Sequence, residues 1–229
     1  TTEIYTLSLH DALPICARGH QYIVISDHSQ RSVQANGLSA ERLLAQQQEI
    51  RQLNEEYAGD FHILHGVEMD IREDGALDYP DEVLAQLDFV IASLHFGLSQ
   101  PREQVTQRLL NAVRSPHVDM IGHMTGRLIG SREGAQLDVD AIFDAALQSG
   151  VAFEINANPR RLDLDAPYAR RAIGLGIPIA INSDAHSAEG MDVLSYGVVT
   201  ARRAWAEARH ILNCWSYEEF NAWLRARNG

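Results

Sequence analysis

The sequence contains no lysine: all 19 of its basic residues are arginine, against 31 acidic ones, for a formal net charge of −12. An acidic excess of that size argues against a freestanding basic grip on nucleic acid. Cysteine is almost missing as well. Cys16 and Cys214 are too few to staple a chain of 229 residues, which excludes a disulfide-built scaffold and fits a reducing compartment. No apolar run approaches the roughly 18 residues that span a bilayer. No basic segment leads into an apolar one at the start, so neither an anchor nor a signal peptide is read; a cytoplasmic location without membrane contact is the expectation. There is no Gly-x-Ser-x-Gly elbow, glycine-rich phosphate loop or CxxC pair, which removes the serine-nucleophile, phosphate-loop and thiol-redox classes. What the sequence has instead is histidine, ten residues of it among many carboxylates, and these are the donors that divalent metals take.

Residues 1–15 show neither helical nor strand periodicity. The string resembles the translation of a sequencing-library adapter, so residues 1–16 are read as a non-native segment and 17–229 as the single domain. Without that segment the net charge softens to −10. From Gln21 onward short apolar runs alternate with amphipathic stretches. Strands are expected at Tyr22–Ser26, His62–Val67, Phe89–Ser93, Val118–Ile121, Ala152–Ile155 and Pro178–Ile181. Helices are expected at Ser39–Tyr57, with Ser39 as cap, Asp81–Leu87, Arg102–Val113, Asp138–Gln148, Tyr168–Leu175 and Tyr217–Arg227. This alternation predicts an α/β fold with parallel strands and right-handed crossovers, either a barrel or an open doubly wound sheet.

Polar residues able to bind metal recur where the strands end: Asp27 and His28, Glu68 and Asp70, His95, His123, Asn156 and Asn158, Asp184 and His186. In βα folds the C-terminal strand ends form the site, so these side chains should converge despite their distance in sequence. His20, His62, His65, His117 and His210 fall outside the pattern and are read as structural or solvated. Several divalent ions in one cleft can hold a phosphate, lower the pKa of a water and stabilise the leaving oxygen, which makes hydrolysis of a charged ester the expected chemistry. Arg127, Arg132, Arg160 and Arg161 follow strand ends, where guanidinium groups could meet phosphate oxygens.

Ser-Asp-His-Ser (26–29), Gly-Val-Glu-Met-Asp (66–70), Ala-Ser-Leu-His (92–95), Gly-His (122–123) and Ser-Asp-Ala-His (183–186) resemble the metal motifs of the PHP (polymerase and histidinol phosphatase) superfamily. More narrowly, the chain resembles the C-terminal PHP domain of bacterial family X DNA polymerases. That likeness rests on Asp-Gly-Ala-Leu-Asp-Tyr-Pro-Asp (74–81), Leu-Asp-Phe-Val-Ile-Ala-Ser (87–93), Thr-Gly-Arg-Leu (125–128), Glu-Ile-Asn-Ala-Asn-Pro (154–159) and Arg-Leu-Asp-Leu (161–164).

The resemblance implies a distorted (β/α)7 barrel holding up to three Mn2+ or Zn2+ ions, with a phosphoesterase activity that acts as a 3′-5′ exonuclease on DNA 3′ ends in DNA repair. His28, Glu68, His95, His123, Asp184 and His186 would be the metal ligands, with Glu68 bridging two ions. Glu68, Asp184 and Arg127 would be catalytic, while Arg127, Arg132, Asn158 and Arg160 would contact phosphate and substrate. The family's opening His-x-His and its first strand have no counterpart after residue 16, which implies an incomplete metal set and an impaired activity. A polymerase module normally precedes such a domain and would supply much of the DNA grip. Two other readings stand beside this one: a phosphatase acting on a small phosphomonoester such as histidinol phosphate, and a catalytically inactive structural module.

Overall fold

The computed structural model describes residues 19–57 and 61–228. The segment read as adapter-derived and the position of an opening strand both lie outside these residues. Six strands, β1 (Tyr22–His28), β2 (His62–Asp70), β3 (Phe89–Ser93), β4 (Met120–Ile121), β5 (Ala152–Asn156) and β6 (Ile179–Asn182), are all parallel and pair strictly in chain order. A doubly wound sheet reverses its strand order at a switch point, whereas consecutive order belongs to a barrel wall. The sheet is accordingly a curled half-barrel, of which six of the seven implied strands are described. Among the described residues no helix is long and apolar enough to cross a membrane.

Strand periodicity explains where the polar groups go, because alternate residues face the same side. The face of β2 that carries Leu64, Gly66 and Glu68 continues on β3 as Phe89, Ile91 and Ser93, and on β5 as Ala152, Glu154 and Asn156. Its lower, N-terminal half is apolar. Leu64, Phe89, Ile91, Met120, Ala152 and Ala180 pack there against Leu212, Phe220 and Leu224. The other face meets the helices α1 (Ala40–Glu56), α2 (Asp81–Leu84), α3 (Arg102–Val113), α4 (Val139–Ser149), α5 (Ala166–Leu175) and α6 (Leu194–Arg203) across a larger core that includes Val67, Met69, Val90, Phe143 and Phe153.

Helix α7 (Tyr217–Asn228) closes the N-terminal end of the wall. Phe220 stacks on Tyr22 at 4.9 Å and Tyr217 on His62 at 3.6 Å. Arg227 donates to Asp119 Oδ1 at 3.3 Å, to Ser149 O at 2.5 Å and to Val118 O.

Three expectations need correction. Strand β2 runs to Asp70, so Glu68 and Asp70 lie inside the strand, fixed by its ladder, and do not follow it. Strand β4 shrinks to two residues, because only Met120 and Ile121 find partners on both sides. Helix α6 is additional: its contact face is Gly197, Thr200 and Ala201, with no wide apolar stripe to reveal it. A Cβ on Gly197 would come within 2.5 Å of Ile181 Cγ2, so the helix lies nearly on the sheet.

Candidate metal centre

Register alone sets His28, the last residue of β1, opposite Glu68 inside β2. His95 and His123 arrive just beyond β3 and β4. Glu68 stands at the middle: its Oε2 is 3.3 Å from His28 Nδ1, and its Oε1 lies 3.3 Å from His95 Nε2 and 3.0 Å from His123 Nε2. The His95 ring is 5.4 Å from that of His28 and 5.0 Å from that of His123. Burial alone would raise the Glu68 carboxyl. The charge on His95 and the hydrogen bonds from His123 and His95 outweigh it and hold the group well below the usual carboxylate range. For His95, burial would depress the imidazole, yet the Glu68 charge and the hydrogen bond to Asp70 push it up to about 10.

Asp70 is the supporting carboxylate. It stands two residues beyond Glu68 on the same face of β2, is buried, and accepts from His95 Nδ1 at 2.6 Å and from Ser32 Oγ at 2.8 Å. A histidine that gives Nδ1–H to a carboxylate presents Nε2 as a ligand, the usual support of a metal-binding imidazole.

The donors fit a divalent cation. One atom each from His28, Glu68 and His95 falls within 4.8 Å of the others. His28 Nδ1 and His123 Nδ1 are buried and make no hydrogen bond, and imidazole with carboxylate suits Zn2+ or Mn2+.

Across the mouth, Asp184 and His186 follow β6. Asp184 Oδ2 accepts from Asn156 Nδ2 at 3.1 Å, and His186 Nδ1 lies 3.0 Å from the Asp184 carbonyl. The His186 ring is 5.9 Å from that of His28, so the two groups of expected ligands border one cleft. His28, Glu68, Glu154, Asn156, Asp184 and His186 line the upper part of a cavity of about 210 Å³, whose lower part runs past Val24, Phe89, Ile91 and Met120 to Leu212 and Phe220. His123 and Asp184 both have positive φ, 21° and 54°. Backbone strain of this kind survives only where the surroundings hold it.

No family model matches the chain. It is 45% identical over 219 residues to the DNA polymerase/3′-5′ exonuclease PolX of Bacillus subtilis, covering 95% of this chain and 38% of that protein. It is 37% identical over 134 residues to a "Probable phosphatase" of Caldanaerobacter subterraneus, covering 54% of this chain and 50% of that one. In fold it is similar to the histidinol phosphate phosphatase of Lactococcus lactis, whose crystal structure contains zinc, L-histidinol and phosphate. The TM-score is 0.60 at 16% identity, with 90% of each chain covered. This is a PHP-type fold.

In this PHP-type domain the four residues expected to meet phosphate do not gather at Glu68. The Arg127 guanidinium donates to Arg161 O at 2.7 Å and to Leu162 O at 2.5 Å. Arg132 donates twice to Gly126 O, Asn158 Oδ1 accepts from Arg160 N at 3.0 Å, and Arg160 is exposed. Loop carbonyls take up the Arg127 and Arg132 guanidinium donors. Of the four strand-end arginines, Arg161 is the one paired with an expected ligand: its Nε is 3.5 Å from Asp184 Oδ2 and its Nη1 is buried without a hydrogen bond. Position after β5 pointed to both Arg160 and Arg161, and only the loop conformation separates them.

Glu154 was also missed. It is 5% exposed and accepts from His123 N at 2.7 Å, Asn182 Nδ2 at 3.1 Å and Asn156 Nδ2 at 3.4 Å. Burial, helped by the charges of Asp184 and Glu68, pushes its carboxyl up to about 7 against the pull of His123. Because Asn156 also holds Asp184, a single carboxylate braces both strained positions. Parity was the available signal, since Glu154 stands two residues before Asn156 on the same strand face. Glu154→Gln would point an amide N–H at these donors, and it should weaken Zn2+ or Mn2+ binding in isothermal titration by about 10- to 100-fold. Wild-type affinity in the variant would remove this role.

Proposed function

We propose that the chain is a metal-dependent phosphoesterase that hydrolyses phosphodiester bonds at DNA 3′ ends, the 3′-5′ exonuclease and end-processing activity of a family X polymerase. The observation that carries this reading is the 45% identity across 95% of the chain with a protein named for that activity, together with Glu68 bracketed by three histidines.

His28, Glu68, His95 and His123 would hold divalent ions, Zn2+ or Mn2+, with Asp184 and His186 as further ligands across the cleft. Ions held there supply positive charge for the phosphate oxygens and lower the pKa of a water. The protein's own part is to keep these donors fixed: Asp70 orients His95, and Glu154 fixes the His123 backbone and, through Asn156, Asp184. Arg161 lies where its free Nη1 can donate to a phosphate oxygen. The chain spans 38% of the Bacillus subtilis relative, and a polymerase module beside it would add to the grip on DNA.

A second reading, hydrolysis of a small phosphomonoester, draws support from the likeness to histidinol phosphate phosphatase. Incubation with Mn2+ or Zn2+ and 5′-labelled single-stranded DNA, beside histidinol phosphate, separates the two. The expected result is a ladder shortening from the 3′ end that chelator abolishes. Turnover of the monoester alone would establish the second reading, and absence of both turnover and metal binding would leave a structural module.

A further inference from the structure

The loop that follows His95 carries an aromatic residue that no part of the metal centre uses. Phe96 is half-buried, and its ring centroid lies 6.4 Å from that of His95. The Arg31 guanidinium is stacked over it, with Cζ 5.5 Å from the ring centre. Arg31 is itself held from two sides: its Nη2 donates to Glu73 Oε2 at 2.5 Å and its backbone N–H donates to Asp78 Oδ2 at 3.0 Å. Beneath the loop, Arg108 donates to Phe96 O at 3.0 Å and to Gly97 O at 3.2 Å. Gly97 has φ +65°, and a Cβ there would come within 2.8 Å of Arg108 Nη1. A partly exposed aromatic ring paired with a cation is therefore fixed in place beside a proposed metal ligand.

Aromatic rings and guanidinium planes both stack on nucleobases, and they do so whatever the base, because every base has a π face. A phosphate at the Glu68 centre has its own nucleoside within a few ångströms, and Phe96 is the residue next to His95, whose Nε2 lies 3.3 Å from Glu68. We propose that Phe96 and Arg31 form a base-stacking shelf that receives the terminal nucleotide of the substrate, which makes this site selective for a nucleic-acid end that still carries its base. The inference rests on the DNA-end reading and adds to it the residues that would recognise the end.

The test is equilibrium binding by fluorescence anisotropy, using the full chain with Mn2+ and two short single-stranded DNA probes. Both have a terminal phosphorothioate linkage that resists hydrolysis; one ends in a normal 3′ nucleotide and the other in an abasic 3′ sugar. Wild type should prefer the base-bearing end by about tenfold. Phe96→Leu, which keeps apolar bulk and loses the π system, should reduce that preference to less than about twofold, whereas Phe96→Trp, which also controls for folding, should keep it. Equal preference in wild type and the leucine variant, or none in wild type, overturns the shelf and leaves the DNA-end reading intact. If neither probe binds while histidinol phosphate is hydrolysed, the DNA-end reading fails and the shelf with it.

Discussion

Glu68→Gln should lower the phosphoesterase rate by at least about a thousandfold and strip the chain of bound Zn2+ or Mn2+, while the circular-dichroism spectrum stays that of the wild type. The substitution keeps volume and shape and removes one charge. That charge is the anion at the centre of the histidine group: His28, His95 and His123 all lie within 3.3 Å of its oxygens. A neutral amide offers a divalent ion one weak carbonyl ligand and turns an N–H toward it. Ion-assisted phosphate hydrolysis draws several kcal/mol from the charge at the site, and about 4 kcal/mol is a thousandfold in rate. Metal content by plasma mass spectrometry and kcat on the preferred phosphoester are the two measurements. A variant that retains its metal and more than a tenth of its rate would move the catalytic centre away from Glu68.

Arg108→Met should cost about 3 kcal/mol of stability. The residue is 2% exposed, and its guanidinium donates to the carbonyls of Ile71, Arg72, Phe96 and Gly97 and to Gln100 Oε1. It ties the end of β2 to the loop that carries His95 and Phe96. Methionine fills much of the space and satisfies none of the acceptors, and buried carbonyls without a donor are costly. In a chain of this size the melting temperature should fall by roughly 9 °C. Lysine, with a single donor head, should not restore it. Chemical unfolding within about 1 kcal/mol of wild type would show that the loops hold themselves.

The contrast between Glu68 and Arg108 shows how far the sequence could be read. Glu68 was legible because metal donors at successive strand ends form a pattern that survives without coordinates. Arg108 was not legible, since an arginine within an amphipathic helix looks like any solvated charge until the loops that bury it are in place. Glu154 falls between these cases: strand parity places it on the inward face, but only the approach of His123, Asn156 and Asn182 makes it a brace. The residues expected on the phosphate side show a related limit. Arg127 and Arg161 follow different strands, and which guanidinium faces the cleft depends on how the loops after β4 and β5 pair, with Arg127 spent on the Arg161 and Leu162 carbonyls.

Periodicity by itself determined the parallel α/β architecture and composition the acidic balance, while donors at strand ends together with the family resemblance pointed to the set His28, Glu68, His95, His123, Asp184 and His186, because hydrophobic patterning and donor chemistry are local properties of the chain. The tertiary structure decided the consecutive strand order that separates a barrel wall from a doubly wound sheet. It also decided the placement of α6 through Gly197, the choice of Arg161 over its neighbours, and the fixed pairing of Arg31 with Phe96. Those outcomes depend on contacts between residues far apart in sequence, where packing and the competition for hydrogen bonds settle what local pattern leaves open.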